Sequence, residues 1–84
     1  MTRYGVETKL SPEEVIKKAE AYFGEGGLGL KVVERNPCCV YLEGGGGHVS
    51  VTASTADGGT SVELETREWD YHVKQFMREL GRVR

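Results

Sequence analysis

The sequence predicts an α+β protein: a two-layer sandwich with the element order β-α-β-β-β-β-α, in which both helices cover one face of an antiparallel sheet. Three observations support this fold class. Five segments alternate apolar and polar residues with the period of two that is typical of half-buried strands. Two segments repeat apolar residues at helical spacing, and two glycine-rich turns independently give the same strand register. Because only one face of the predicted sheet is apolar, both helices are expected on that face.

The first strand and the first helix are predicted from the N-terminal part of the chain. Residues 3–10 alternate, and every second side chain faces inward: Tyr4, Val6, Thr8 and Leu10. Ser11 is a suitable N-cap, Pro12 suits the first helical position, and Glu14 completes a capping box. Gly24 is the expected C-cap. The apolar face of this helix consists of Val15, Ile16, Ala19, Tyr22 and Phe23.

The second strand is predicted over residues 28–35, followed by the turn signal Asn36-Pro37. Val32 and Val33 are adjacent, so only one of them can face the core. A three-residue loop over residues 35–37 sets the pairing of this strand with the next one. The opposed pairs are then Val32 with Val40 and Leu30 with Leu42.

Two further hairpins determine the register of the last three strands. If residues 44–47 form the first loop, the opposed pairs are Glu43 with His48, Leu42 with Val49, and Val40 with Val51. If residues 56–59 form the second, they are Ala53 with Val62, Val51 with Leu64, and Val49 with Thr66. Every apolar pair then falls on one face of the sheet. The predicted strand order is 2-3-4-5, with strand 1 beside strand 5.

The second helix is predicted over residues 68–80, where apolar side chains repeat at helical spacing. Gly81 is expected to end it, and basic residues near that end complement the helix dipole. The apolar stripe consists of Trp69, Val73, Phe76, Met77 and Leu80.

Length and charge restrict the classes of function. The 84 residues predict a single domain, residues 1–84, whose core is too small for a large internal ligand cavity. The net charge of −2 gives no broad cationic surface, so nucleic acid is not an expected partner. No apolar run is long enough to cross a membrane, and the N-terminus shows no signal-peptide pattern. A cytoplasmic location is therefore expected, with reduced cysteines and no cofactor.

The element order resembles a shortened helix-grip fold of the START and birch-allergen type, in which a sheet wraps a long C-terminal helix. In that resemblance residues 69–80 form the gripped helix, residues 11–23 replace the early helices, and two strands are missing. The resemblance implies an apolar ligand beneath the C-terminal helix. Separately, residues 43–47 and 65–71 resemble segments of short uncharacterised bacterial proteins of similar length, which implies no activity.

Two adjacent cysteines form the most unusual dipeptide of the chain. Because neighbouring residues of a strand point to opposite faces, Cys38 is expected in the core beside Ala53, and Cys39 on the solvent side near Thr52. The structural interpretation is a buried thiol next to an exposed one. A redox or metal role is the alternative, although two adjacent sulfurs alone make a poor zinc site.

For the two histidines and for the glycine run, a structural interpretation is preferred to a functional one. His48 is expected on the open sheet face between Glu43 and Arg67, and His72 at the border of the buried stripe of the last helix. Residues 44–47 join two strands and lack the lysine and hydroxyl residue of a phosphate-binding loop, so a flexible hairpin is predicted. Four successive glycines exceed the need of a tight turn, which leaves room for a partner to approach closely.

The leading hypothesis is a non-enzymatic binding or interaction module that forms a homodimer. Two surfaces are assigned to it. A groove for a small apolar ligand is predicted from Tyr22, Trp69, His72 and Met77. The dimer face is predicted from the outward side chains Val33, Cys39, Tyr41, Ser50 and Thr52.

Two other classes of function remain open. A small helix-grip-like enzyme of the cyclase or hydrolase type would use His72 or His48 as its acid–base group. No catalytic partner for either histidine and no set of metal ligands can be named from the sequence. A nucleic-acid binder would use a small cluster of cations near the C-terminus: Lys74, Arg78, Arg82 and Arg84.

Overall fold

A computed structural model describes residues 2–83 of the chain, with side chains for residues 2–81. The predicted order of strands and helices is confirmed, with one short strand added after the last helix. The elements are β1 Thr2–Thr8, α1 Pro12–Phe23, β2 Lys31–Asn36, β3 Cys39–Gly44, β4 Gly47–Ala56, β5 Gly59–Arg67, α2 Asp70–Leu80 and β6 Arg82–Val83.

The strands form one antiparallel sheet in the order β2-β3-β4-β5-β1-β6. The predicted meander and the position of β1 beside β5 are confirmed. The added strand β6 pairs with β1 through Val83 opposite Val6 and Arg82 opposite Glu7. A two-residue strand is too short to produce an alternating pattern, which is why the sequence does not predict it.

Both glycine-rich hairpins have the predicted register. The first turn is shorter than expected, because Gly44 and Gly47 pair with each other and only two residues connect the strands. Gly45 has φ 58° and Gly46 has φ 81°, and two positive φ values are what the favoured two-residue hairpin turn requires. In the second hairpin Gly58 has φ 75°, between the paired residues at positions 56 and 59.

The predicted pairing of β2 with β3 is wrong. Val32 lies opposite Leu42 rather than Val40, and Val40 lies opposite Arg35. The turn is formed by residues 37 and 38, and a β-bulge between Val32 and Glu34 takes up one residue. The bulge places Val32 against the core and leaves Val33 exposed, which settles which of the adjacent valines faces inward.

The ends of α1 follow the sequence prediction. The Ser11 hydroxyl accepts a hydrogen bond from the Glu14 N–H at 3.2 Å, and the Glu14 carboxylate accepts one from the Ser11 N–H at 3.1 Å. This capping box satisfies two of the N–H groups that a helix start leaves without partners. The Gly24 N–H donates to the Glu20 carbonyl oxygen at 2.8 Å and ends the helix.

Both helices lie on one face of the sheet, as predicted. Helix α1 packs on β3 and β4, and α2 packs on β1 and β5. The two helices meet through Phe23 and Phe76, whose ring centroids are 5.2 Å apart. The inward side chains of the sheet and the apolar faces of both helices form one buried cluster. The opposite face of the sheet has no helix over it among residues 2–83.

Candidate functional site: the open sheet face and the cysteine turn

The open face is the side of the sheet that the two helices do not cover, and the residues predicted for the dimer face lie on β2, β3 and β4. Four of the five residues predicted for the dimer face are neighbours in the sheet register: Cys39 lies opposite Thr52, and Tyr41 opposite Ser50. The fifth, Val33, lies in the bulge of β2 and is 51% exposed. The hairpin register therefore brings four of the predicted residues onto one surface, and Val33 is exposed on the neighbouring strand.

A small polar cluster lies at the glycine end of the open face. The rings of Tyr41 and His48 are stacked, with centroids 5.5 Å apart and an interplanar angle of 27°. The Tyr41 hydroxyl donates to the Glu43 carboxylate at 3.2 Å. Partial burial, together with Glu43, raises the pKa of Tyr41 above its ordinary value. As predicted, His48 lies in register between Glu43 and Arg67.

An open concavity of about 460 Å³ adjoins this cluster, lined by Tyr41, Glu43, Gly44, Gly46, Gly47, His48 and Arg67. Its ionisable groups are a phenol, a carboxylate, an imidazole and a guanidinium. No serine or cysteine lines it, so the concavity does not place either nucleophile next to His48.

The four residues predicted for the ligand groove fall into two groups. Trp69 and His72 are half-buried and their rings contact each other, with centroids 5.6 Å apart. Tyr22 instead packs on Phe76, with centroids 5.5 Å apart. Met77 is 2% exposed and belongs to the core.

The glycine run is explained by a contact within the chain. The indole Nε1 of Trp69 donates a hydrogen bond to the Gly44 carbonyl oxygen at 2.9 Å. A Cβ atom at Gly45 would lie 2.9 Å from the Trp69 ring, and one at Gly47 would collide with the carbonyl oxygen of Arg67. The four glycines suggested that another group approaches this hairpin closely, and the indole of Trp69 is that group.

Two expectations for the cysteines are corrected by the structure. The Sγ atoms of Cys38 and Cys39 are joined in a disulfide rather than being free thiols. Cys38 is also exposed in the turn and not buried in the core, although its carbonyl oxygen accepts a hydrogen bond from the Ala53 N–H at 2.8 Å. Adjacent side chains that are bonded to each other cannot point to opposite faces, so the strand alternation expected at Cys38 does not hold.

The second predicted cysteine position is confirmed. Cys39 is the first residue of β3, is half-exposed, and pairs with Thr52 on the open face. The Oδ1 atom of Asn36 accepts a hydrogen bond from the Cys38 N–H at 3.2 Å and lies 3.1 Å from the Cys38 Sγ atom. The disulfide therefore borders the open face at the end remote from the glycine hairpin.

The basic residues near the C-terminus are engaged locally where the structure describes them. The Lys74 ammonium group lies 5.7 Å from the centroid of the Tyr4 ring, and the Tyr4 hydroxyl donates to Asp70 at 2.7 Å. Arg78 is exposed near the end of α2. The side chain of Arg82 and all of Arg84 lie outside the described residues, so the cationic cluster is not described as a whole.

Neither a metal-binding cluster nor a membrane-spanning helix occurs among the described residues. No three or more His, Cys, Asp or Glu side chains in that part of the chain are arranged to hold a metal ion. Within the same residues, neither helix has the length and apolar character that a membrane span requires.

Comparisons with known proteins find a similar fold but no sequence family. No family model matches the chain, and no curated protein matches it. The solution structure described as the Aha1 dimer from Colwellia psychrerythraea has a similar fold, with a TM-score of 0.59. The two chains are 16% identical over 95% of this chain and 96% of the other. At that identity the similarity shows the fold alone, and it is compatible with the topological resemblance to helix-grip proteins.

Proposed function

We propose that the protein is a small non-enzymatic interaction module that forms a homodimer through the open face of its sheet. The observation that carries the proposal is that none of the described residues forms a layer over this face, to which the exposed Val33 and the half-buried Tyr41 are assigned. An antiparallel sheet with one apolar and one polar face would place only polar groups there. Two bulky side chains among small hydroxyl residues suit contact with another flat surface.

The area of the open face supports a second copy as the occupant. The five longer strands, each about 4.8 Å wide, make a face roughly 24 Å wide, and about seven residues per strand make it roughly 24 Å long. A face-to-face pair would then bury about 600 Å² per copy, or about 1,200 Å² in total, which is at the lower end for specific interfaces. We therefore expect a dimer that dissociates on dilution.

The composition of the face also suits a pairing of identical surfaces. Its centre carries short uncharged side chains, Ser50 and Thr52, which allow close approach of a second sheet. On the next strand, β5, Glu65 lies opposite Ser50 and Glu63 lies opposite Thr52. Glu65 forms an ion pair with Arg3 of β1 at 3.3 Å. A second copy would also stabilise so small a domain by mass action.

The structurally similar protein adds independent support, since its description names a dimer. The word describes that protein, and its interface is not transferred to this chain residue by residue. A domain of this fold and size that forms dimers nevertheless makes the same assembly a reasonable proposal here.

The ligand and enzyme hypotheses have weaker support. Met77 is buried among core side chains and cannot contact a small apolar molecule without rearrangement, and the Trp69 indole is anchored to the β3–β4 hairpin through its N–H. His48 has Tyr41 and Glu43 beside it, but no hydrogen bond to either aligns its ring for proton transfer in the described structure.

Sedimentation velocity over a wide range of protein concentrations tests the proposal. We expect the wild type to show a concentration-dependent dimer, and Tyr41→Glu or Val33→Glu to shift it to monomer, because each places a charge in the apposed faces. Tyr71→Glu is the matched control: Tyr71 is 68% exposed but lies on α2, in the other layer.

The outcomes separate the proposal from its alternatives. A wild type that stays monomeric at every concentration contradicts self-association. A dimer that dissociates in Tyr71→Glu but persists in both open-face variants contradicts the assigned surface and places the interface on the helices. Circular dichroism of each variant must match that of the wild type, so that loss of dimer is not loss of fold.

A further inference from the structure

We propose that Cys38 and Cys39 form a dithiol–disulfide couple that exchanges with small thiols and disulfides of the glutathione type at the β2–β3 turn. This chemistry does not depend on the proposed self-association, although Cys39 also lies on the face assigned to the dimer. It assigns a reactive site to the most unusual dipeptide of the sequence.

The position of the disulfide indicates that it does not serve to stabilise the fold. A disulfide stabilises a protein mainly by closing a loop in the unfolded chain, and the effect grows with the number of residues enclosed. Cys38 and Cys39 are adjacent, so no residue is enclosed. The bond joins two residues of one turn and links no two elements of the fold. Its stabilising effect through loop closure is therefore minimal.

The two cysteine residues differ in their exposure to solvent. Cys38 is exposed in the turn, whereas Cys39 is half-exposed at the start of β3 and faces Thr52. Thiol–disulfide exchange requires that the attacking sulfur reach the disulfide without obstruction. Cys38 is thus assigned as the residue that reacts with the external partner, and Cys39 as the residue that resolves the mixed disulfide.

The surrounding backbone holds the pair in place while this chemistry occurs. The Cys38 carbonyl oxygen accepts from the Ala53 N–H, and its N–H donates to Asn36 Oδ1. Neither hydrogen bond involves a sulfur atom, so neither depends on the oxidation state. The Asn36 Oδ1 atom, 3.1 Å from the Cys38 Sγ, can accept a hydrogen bond from the thiol once the pair is reduced.

The exchange of the protein thiols with oxidised glutathione takes two steps. The Cys38 thiolate attacks one sulfur of oxidised glutathione, which forms a protein–glutathione mixed disulfide and releases one glutathione thiolate. The Cys39 thiolate then attacks the Cys38 sulfur, which forms the Cys38–Cys39 bond and releases the second glutathione. The two protons of the protein thiols end on the two glutathiones. The protein loses two electrons, and the glutathione disulfide gains them.

The absence of further ligands favours exchange over metal binding. No group of three or more metal-ligating side chains occurs among the residues that the structure describes. Zinc sites in proteins take four ligands, or three with a water molecule. Two adjacent sulfurs alone do not provide that set.

Intact-mass spectrometry of reduced protein treated with oxidised glutathione and quenched in acid tests the proposal. We expect the wild type to become lighter by two hydrogen atoms and to retain no glutathione. Cys39→Ser should accumulate one glutathione adduct, because the resolving thiol is missing. Cys38→Ser should acquire its adduct several-fold more slowly, because Cys39 is less exposed.

Three results would overturn the proposal. They are a wild type that retains the adduct, a wild type that forms disulfide-linked dimers in place of the internal bond, and a wild type that remains unreacted. Equal adduct rates in the two variants would overturn the assignment of Cys38 as the entry residue. Both substitutions lie at the surface turn, and matching circular dichroism spectra establish that the folds being compared are the same.

Discussion

The indole N–H of Trp69 donates a hydrogen bond to the carbonyl oxygen of Gly44 at 2.9 Å, and this contact joins the start of α2 to the β3–β4 hairpin. The same indole occupies the space that a side chain at residue 45 would need. The tryptophan and the glycine run are therefore two halves of one contact. It connects the helical layer to one end of the sheet, beside the concavity at Tyr41 and His48.

Replacing Trp69 with Phe tests the hydrogen bond in this contact. An aromatic ring is kept, although it is smaller than the indole, and the N–H is lost, which leaves the Gly44 carbonyl oxygen without that donor. We expect the free energy of unfolding to fall by about 0.5–1.5 kcal/mol, the usual net contribution of a hydrogen bond, because this one is only partly buried. Urea denaturation followed by circular dichroism measures the change. A variant as stable as the wild type would show that the bond contributes nothing.

Alanine at two neighbouring glycines tests the steric half of the contact. Gly45 and Gly46 both have positive φ, so alanine is strained at either position. Only a Cβ at Gly45 meets the indole; one at Gly46 meets nothing within 4 Å. We expect Gly45→Ala to be the more destabilising substitution in urea denaturation, and the difference between the two to isolate the indole contact. Equal losses of stability would mean that strain alone is responsible.

The sheet could be predicted from the sequence because its pattern is repeated and local. Two hairpins gave the same inward set of side chains, and any shift by one residue would have placed Val49 and Val51 in solvent. The bulge at Val33 could not be predicted in this way, since two adjacent valines satisfy either register. Its result is the exposed position of Val33, which the sequence assigned to the open face by assuming regular alternation.

The parts of the site that the sequence did not reveal depend on contacts between distant residues. Trp69 and Gly44 are far apart in the chain, and helical spacing explains Trp69 equally well as a member of the apolar stripe. The orientation of Cys38 depends on a bond to its neighbour, whereas strand alternation assumes independent side chains. A lone tryptophan together with four successive glycines was the available signal for the first of these contacts.

The contact between β1 and α2 gives a prediction for pH dependence. The Tyr4 hydroxyl bonds to Asp70 at 2.7 Å, which lowers the pKa of Asp70 below its ordinary value of 3.8 and, by the same bond, raises the pKa of Tyr4 above 10.0. The contribution of Asp70 to stability is therefore full above its unfolded-state pKa and is lost as pH falls through the folded-state value. That of Tyr4 is full below its unfolded-state pKa and is lost as pH rises through the folded-state value.

Substitution of Tyr4 by Phe removes the bond and tests this linkage. We expect the pKa of Asp70, followed by NMR of its carboxyl carbon, to rise towards the ordinary value. Glu14 is an internal control, because the Ser11 backbone and hydroxyl lower its pKa and Tyr4 is not among their partners. An Asp70 pKa that does not move in Tyr4→Phe would mean that another group lowers it.

Deletion of Val33 tests the bulge that distinguishes β2 from its predicted register. Val32 lies opposite Leu42 and Glu34 opposite Tyr41, so removing the residue between them leaves an uninterrupted ladder with the same pairs. We expect the shortened chain to fold with the same cross-strand NMR contacts and to lose an apolar side chain from the open face. Its dimer should consequently be weaker and dissociate at a higher protein concentration than that of the wild type.

Val33→Ser, which keeps the bulge and removes only the apolar group, is the matched control. If the deletion shifts every pair of β2 by one residue, the bulge sets the register of the strand and is not an insertion into it.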